Sequence, residues 1–235
     1  MAQIRWQAKS AKAFKLPSSW QQLPKGEQYC ETLGDYFAKF SPLITGKQLV
    51  RLGGLSAELE CKMSLPYHFV LSPEINSHLT ALSNQNSYSL IQGDLVELPF
   101  ESQSVDVCIS ANTLNFMQDP HQLLREIQRI LTDDGYLFLS IFNPFSGLLF
   151  KQKINQPQNP ALPFRHFLPC RIIDWLHLLN FEIIQQQTLA NLFAIVAKKQ
   201  TYPLSLQPQK QRFDPSNIFQ GEPVGAFREV EKHEI

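Results

Sequence analysis

The stretch Gly93–Pro120, GDLVELPFESQSVDVCISANTLNFMQDP, decides how this sequence is read. Gly93-Asp94 closes a short apolar run, Tyr88–Ile91, and Leu98-Pro99-Phe100 reads as a turn. Ser104–Ser110, SVDVCIS, is then nearly continuous in apolar residues, as a strand buried on both faces should be. Next, His121–Leu131 places Leu123, Leu124, Ile127, Ile130 and Leu131 on one side of a helix. Asp133-Asp134-Gly135 turns the chain into a further strand, Tyr136–Phe142. Strand, helix and strand in this rhythm predict parallel βαβ units.

Upstream, the spacing predicts a strand at Gln48–Leu52, the pair Gly53-Gly54 and a brief helical stretch near Ser56. Tyr67–Leu71 reads as a second strand, punctuated by Ser72-Pro73, and Glu74–Leu82 as a short helix. Before these, Gly26–Phe40 carries Tyr29, Leu33, Tyr36, Phe37 and Phe40 at helical spacing, and Ser41-Pro42 ends it. Downstream, residues 143–169 hold Pro144, Pro157, Pro160, Pro163 and Pro169, which predicts a long loop on the substrate side. Cys170–Leu179 reads as a helix burying Ile172, Ile173, Trp175, Leu176 and Leu179. Glu182–Leu189 and Leu192–Lys198, joined at Ala190-Asn191, should pair antiparallel. The expected organisation is an N-terminal extension with an amphipathic helix (residues 1–45), a folded domain (46–200), and a tail without fixed structure (201–235).

With 235 residues and 43% hydrophobic content, the chain can bury one sizeable core. Its 21 basic and 21 acidic residues cancel, so no overall field draws in nucleic acid or an anionic membrane. No apolar run is long enough for a membrane span, and the basic N-terminus lacks the apolar stretch of a secretory signal. Cys30, Cys61, Cys108 and Cys170 are far apart and form no CxxC pair, so buried thiols are expected rather than disulfides or zinc ligands. The chain reads as a soluble cytoplasmic protein.

The central block closely resembles that of the class I S-adenosylmethionine (SAM)-dependent methyltransferases, of the methyltransferase type 11 kind. In that family an acidic residue after the third strand leads into Leu-Pro-Phe, and then into a fourth strand that opens with an apolar residue and Asp. LLREIQRIL, DDGYLFLSIF and the closing hairpin resemble the family's next elements, and the resemblance runs from about Gly46 to Lys198. It looks nearest to short bacterial proteins with an FNP segment, here Phe142-Asn143-Pro144. The resemblance implies an α/β fold: a Rossmann-like, mostly parallel seven-stranded sheet with a C-terminal antiparallel hairpin and helices on both faces. It also implies SAM as cofactor and a small-molecule methyl acceptor.

Ligands of open α/β sheets lie across the carboxyl ends of the strands. By the resemblance, Asp94 would accept from the exocyclic amine of adenine, Leu95 would pack on the ring, and Asn112 would face the methionine part or the substrate. Asp94 also suits a simple cap on the turn after Gly93. Gly53 and Gly54 would let the backbone approach the cofactor, and Ser72 stands where the family places a ribose-binding acid. Three positions depart from the pattern: Arg51 replaces an acidic residue, and Leu55 and Ala57 replace glycines. Their alternative implication is an inactive methyltransferase-fold module for nucleoside binding or protein interaction. An NAD-dependent oxidoreductase is disfavoured, because no GxGxxG follows the first strand. No catalytic side chain is evident. His121 reads as a surface or capping residue, while Asn143 and His166 sit in the loop where a substrate would be met.

Overall fold

The computed structural model describes residues 14–144 and 164–201, all within one compact unit. All of the expected tail beyond Thr201 and most of the expected long loop, including its apolar residues Phe145, Leu148, Leu149 and Phe150, lie outside the described residues. The strands are β1 (Gln48–Leu52), β2 (Tyr67–Ser72), β3 (Ser89–Gln92), β4 (Val105–Ala111), β5 (Leu131–Phe142), β6 (Phe181–Leu189) and β7 (Leu192–Lys199). They form one sheet in the order β3-β2-β1-β4-β5-β7-β6. The first five pair parallel, and β7 runs antiparallel to both β5 and β6. The helices are α1 (Gly26–Ala38), α2 (Gly54–Ala57), α3 (Ser77–Asn86), α4 (Pro120–Ile130) and α5 (Pro169–Leu178).

Side-chain alternation along the strands sorts the core onto two faces. Val50, Leu52, Cys108, Leu137, Leu139 and Ile195 pack beneath α4 and α5, against Leu123, Leu124, Ile127, Ile172 and Leu176. Leu49, Val107, Ile109, Phe138 and Val196 face the other way, toward Leu33, Tyr36 and Phe37 of α1. The Phe37 and Phe138 rings meet edge to face, 5.1 Å apart. Residues expected to form an extension therefore contribute a large part of one core face.

Local chemistry sets the helix bounds. The Asp119 side chain accepts from Gln122 N–H and Pro120 opens α4. At the other end Lys199 Nζ donates to Gln128 O (2.9 Å) and Leu131 O (2.7 Å), placing a buried cation at the helix C-terminus. α3 starts at Ser77 rather than at Glu74, because Asn76 caps it by accepting from Leu79 N–H. β5 begins five residues before Tyr136. Leu131 pairs with Val105, the register then slips, and Asp134 sits at φ 66° inside the irregularity.

All four cysteines are free. Cys61 and Cys108 are buried, and burial raises the Cys108 thiol far above its ordinary range. Cys30 is half-buried and pushed up to about 12, by burial first and then by Glu58 and Glu60. Cys170 is exposed, against expectation, since the inward face of α5 begins only at Ile172. Among the described residues no helix is long and apolar enough to cross a membrane.

Candidate cofactor and acceptor site

The strand order reverses between β1 and β4, and in open α/β sheets ligands bind at the carboxyl ends beside such a reversal. The residues expected to bind the cofactor lie on that edge: Gly53-Gly54 after β1, Ser72 ending β2, Asp94-Leu95 after β3 and Asn112 after β4.

On the β1–β2 side the chain's own N-terminal segment covers the glycine turn. Gly53 has φ 80°, a conformation that favours glycine, and its N–H donates to Leu71 O. A Cβ on Gly53 would stand 2.8 Å from Leu16 Cδ2, and one on Gly54 would stand 2.2 Å from Ser18 O. The segment is anchored by Trp20, which is fully buried. Trp20 donates its indole N–H to Leu55 O (2.8 Å) and its backbone N–H to Glu58 Oε2 (2.9 Å). Glu58 Oε1 meets His78 Nε2 at 2.6 Å, and Lys15 lies 3.8 Å from Glu74. Ser72 is buried, and its hydroxyl donates to Glu74 O.

The departures from the family pattern have a local explanation. Leu55 and Ala57 lie inside α2, not in the turn, and Leu55 packs in the same core face as Leu33 and Phe37. Arg51 is 1% exposed and points beneath α2. Its Nη1 donates to Ser56 O and Leu59 O, with Cys61 Sγ at 3.5 Å, and its guanidinium lies 5.0 Å over the Tyr88 ring. Arg51 therefore closes the far end of α2 and does not face the site.

The β3–β4 side is open. A cavity of about 560 Å³ is lined by Phe14, Asp94, Val96, Phe116, Met117, Gln118, Asp119 and Gln122, a volume typical of small-molecule sites. Asp94 is exposed, and Oδ1 accepts from Val96 N–H at 3.0 Å. The cap reading of Asp94 therefore holds, and the residue also lines the cavity. Leu95 is 2% exposed and belongs to the core with Leu71, Leu98 and Leu114, so the apolar side chain reaching the cavity here is Val96. The Leu98-Pro99-Phe100 turn is clamped from α4: Glu126 accepts from Leu98 N–H, while Arg129 donates to Leu98 O and Phe100 O, each at 2.9 Å. The Arg129 hydrogen bond, ahead of its Coulombic attraction, holds the Glu126 carboxyl below its ordinary range.

Asn112 is fully buried with φ 54°. Its Oδ1 accepts from Ser140 Oγ (2.6 Å), which leaves the Nδ2 donors without a partner. A buried amide with free N–H groups is costly unless something accepts from it. Asn115 spends its side chain structurally, donating to Arg165 O and accepting from Phe142 N–H. Asn143 N–H donates to Asn191 O, and His166 is exposed, its ring edge against Phe164. The His121 ring lies tilted against the buried Trp175, ring centroids 3.8 Å apart. Sequence reading missed Phe14, Val96, Phe116, Gln118 and Gln122. FMQDPHQ, a few residues after the strand end, was the available signal for three of these.

Known proteins share this fold. The family described as methyltransferase domain matches residues 53–139. Sheet order, closing hairpin and that match define a class I SAM-dependent methyltransferase, and the chain belongs to this family. The chain is similar to the uncharacterized protein YafS of Escherichia coli (strain K12), 34% identical over 241 residues, which covers 92% of this chain and 94% of YafS. Among solved structures, a SAM-dependent methyltransferase from Mesorhizobium loti aligns with TM-score 0.54 at 14% identity, over 71% of this chain and 98% of that one. The [4+2]-cyclase SpnF aligns with TM-score 0.57 at 14% identity, over 83% and 89%. These likenesses show the fold, which hosts more than one chemistry. SAM is the cofactor the family implies. An open carboxylate, an apolar neighbour and a partnerless buried amide are donor and acceptor types that suit it.

Proposed function

We propose that this protein transfers a methyl group from SAM to a small-molecule acceptor. The observation that carries this reading is the cavity bounded by Asp94 and Phe116, at the strand ends that the family match spans. Asp94 accepts from the exocyclic amine of the cofactor, Val96 lies against the ring, and Leu95 supports it from the core. Asn112 donates from Nδ2 to a ligand oxygen. Gly53 and Gly54 make room for the N-terminal segment at Leu16 and Ser18, which closes that flank of the site, and Ser72 borders the ribose from the same side. SAM supplies an electrophilic methyl group for in-line displacement, so much of the rate comes from positioning and no general base is required. The acceptor enters between Phe14, Met117 and Gln122. A neutral overall charge and a cavity of this size favour a small acceptor over a nucleic acid. The four free thiols favour a cytoplasmic setting.

A second reading, a ligand-binding module without turnover, is favoured by one observation: Leu16 and Ser18 press on the glycine turn. Incubation with methyl-labelled SAM and a panel of small nucleophiles separates the two. Label in an acceptor supports the methyltransferase. Saturable SAM binding with no label transferred across amines, alcohols, thiols and carboxylates supports the module.

A further inference from the structure

The start of α4, which lines the cavity at Gln122, meets Trp175 of α5, and basic side chains gather around that contact. Trp175 is the hub. The His121 ring lies against it, the Arg171 guanidinium stands 5.5 Å from its ring centroid, and Phe167 meets it edge-on at 5.7 Å. Arg165 lies 5.0 Å over Phe167, and its Nη1 donates to Met117 O and Gln118 O, both residues of the cavity wall. Arg125 follows His121 by one helical turn, is exposed, and forms no ion pair among the described residues. Arg171 likewise forms no ion pair, although Asp174 lies three residues on.

The acid facing this group is Asp119, which also caps α4. Among the described residues, three guanidinium groups and Asp119 act on the same His121 imidazole. Burial lowers its pKa most, and Arg125, Arg171 and Arg165 push the same way against Asp119. A guanidinium is preorganised for planar, bidentate capture of an oxyanion, and stacking on aromatic rings holds it in place.

We infer that His121, Arg125, Arg165 and Arg171 form an oxyanion subsite at the cavity rim, which holds a carboxylate or phosphate group of the methyl acceptor. The inference rests on the methyl-transfer reading for the identity of the ligand, though not for the existence of the subsite. Among the described residues these four side chains gather beside the cavity, an arrangement that suits a small anionic molecule.

The test titrates the protein, alone and saturated with S-adenosylhomocysteine, with inorganic phosphate and with benzoate. It compares wild type with an Arg125→Gln/Arg171→Gln variant whose thermal midpoint is checked. Saturable binding of at least one anion is expected, weakened about tenfold or more in the variant and largely kept when both arginines become lysine. Phosphate alone identifies a phosphate monoester acceptor, and benzoate alone a carboxylate. No saturation by either anion into the tens of millimolar, equal affinity in wild type and variant, or binding only to a long RNA oligonucleotide overturns the subsite. A parallel SAM titration keeps the two ideas apart. Saturable SAM binding without anion binding removes this inference alone, whereas anion binding without SAM binding removes the methyltransferase reading.

Discussion

At the ends of β1 and β2 the polar groups are spent within the chain, whereas after β3 Asp94 is exposed and after β4 the buried Asn112 keeps donors unpaired. Ser72 donates to Glu74 O, Arg51 serves the carbonyls beneath α2, and Leu16 and Ser18 press on the glycines. Across the edge, Asp94 keeps an oxygen free, Asn112 keeps two N–H donors unpaired, and a cavity lies between the elements. The side that departs most from its family's sequence is the side the protein's own N-terminal segment covers. The lesson is that a substituted motif position need not be a damaged ligand contact. Leu55 and Arg51 build the support for that cover.

The largest effect should come from Trp20→Ala, which empties a fully buried site and frees Leu55 O and Glu58. A loss of about 3–5 kcal/mol is expected in urea unfolding. A loss near zero would mean that the N-terminal segment is not anchored on α2. Gly54→Ala comes next. Its Cβ would stand 2.2 Å from Ser18 O, so the segment must shift, at about 1–3 kcal/mol. The matching change on the open side, Gly93→Ala, meets nothing closer than 3.5 Å and should stay within about 0.5 kcal/mol. Equal denaturation midpoints for the two variants would erase the contrast between the sides.

Arg129→Ala should cost less, about 1 kcal/mol, because the guanidinium is partly solvated. The sharper readout is pH. Glu126 is depressed in the folded state, so the pair stabilises the fold above the ordinary glutamate range, and that contribution is lost as pH falls through the lowered value. Unfolding curves of Arg129→Ala should therefore be less acid-sensitive than those of wild type. Parallel curves would show that the clamp on Leu98-Pro99-Phe100 is not ionic.

Much of the fold is legible in the sequence because parallel buried strands are written as continuous apolar runs, and β1 at Gln48–Leu52 and β4 within one residue follow from that alone. Boundaries set by capping are less legible. Asn76 moves α3, and the slip after Leu131 lengthens β5, and neither leaves an apolar signature. The site is half legible. Asp94 and Asn112 follow from their places after strands, but Leu95 and Val96 differ only in which side of the turn they fall on. Phe14 reaches the cavity from about eighty residues upstream of Asp94, and no local pattern records such a contact. Arg165 and Trp175 join the rim through tertiary packing alone.

Calorimetric titration with SAM, in wild type and in Asp94→Ala, tests most directly whether the open side is the cofactor site. Saturable micromolar binding by wild type is expected, weakened about tenfold to a hundredfold by removal of a charge-assisted hydrogen bond of about 1.5–3 kcal/mol. Folded wild-type protein that does not bind SAM at millimolar concentration, or an Asp94→Ala variant that binds as tightly as wild type, would place the cofactor elsewhere or nowhere on this edge of the sheet.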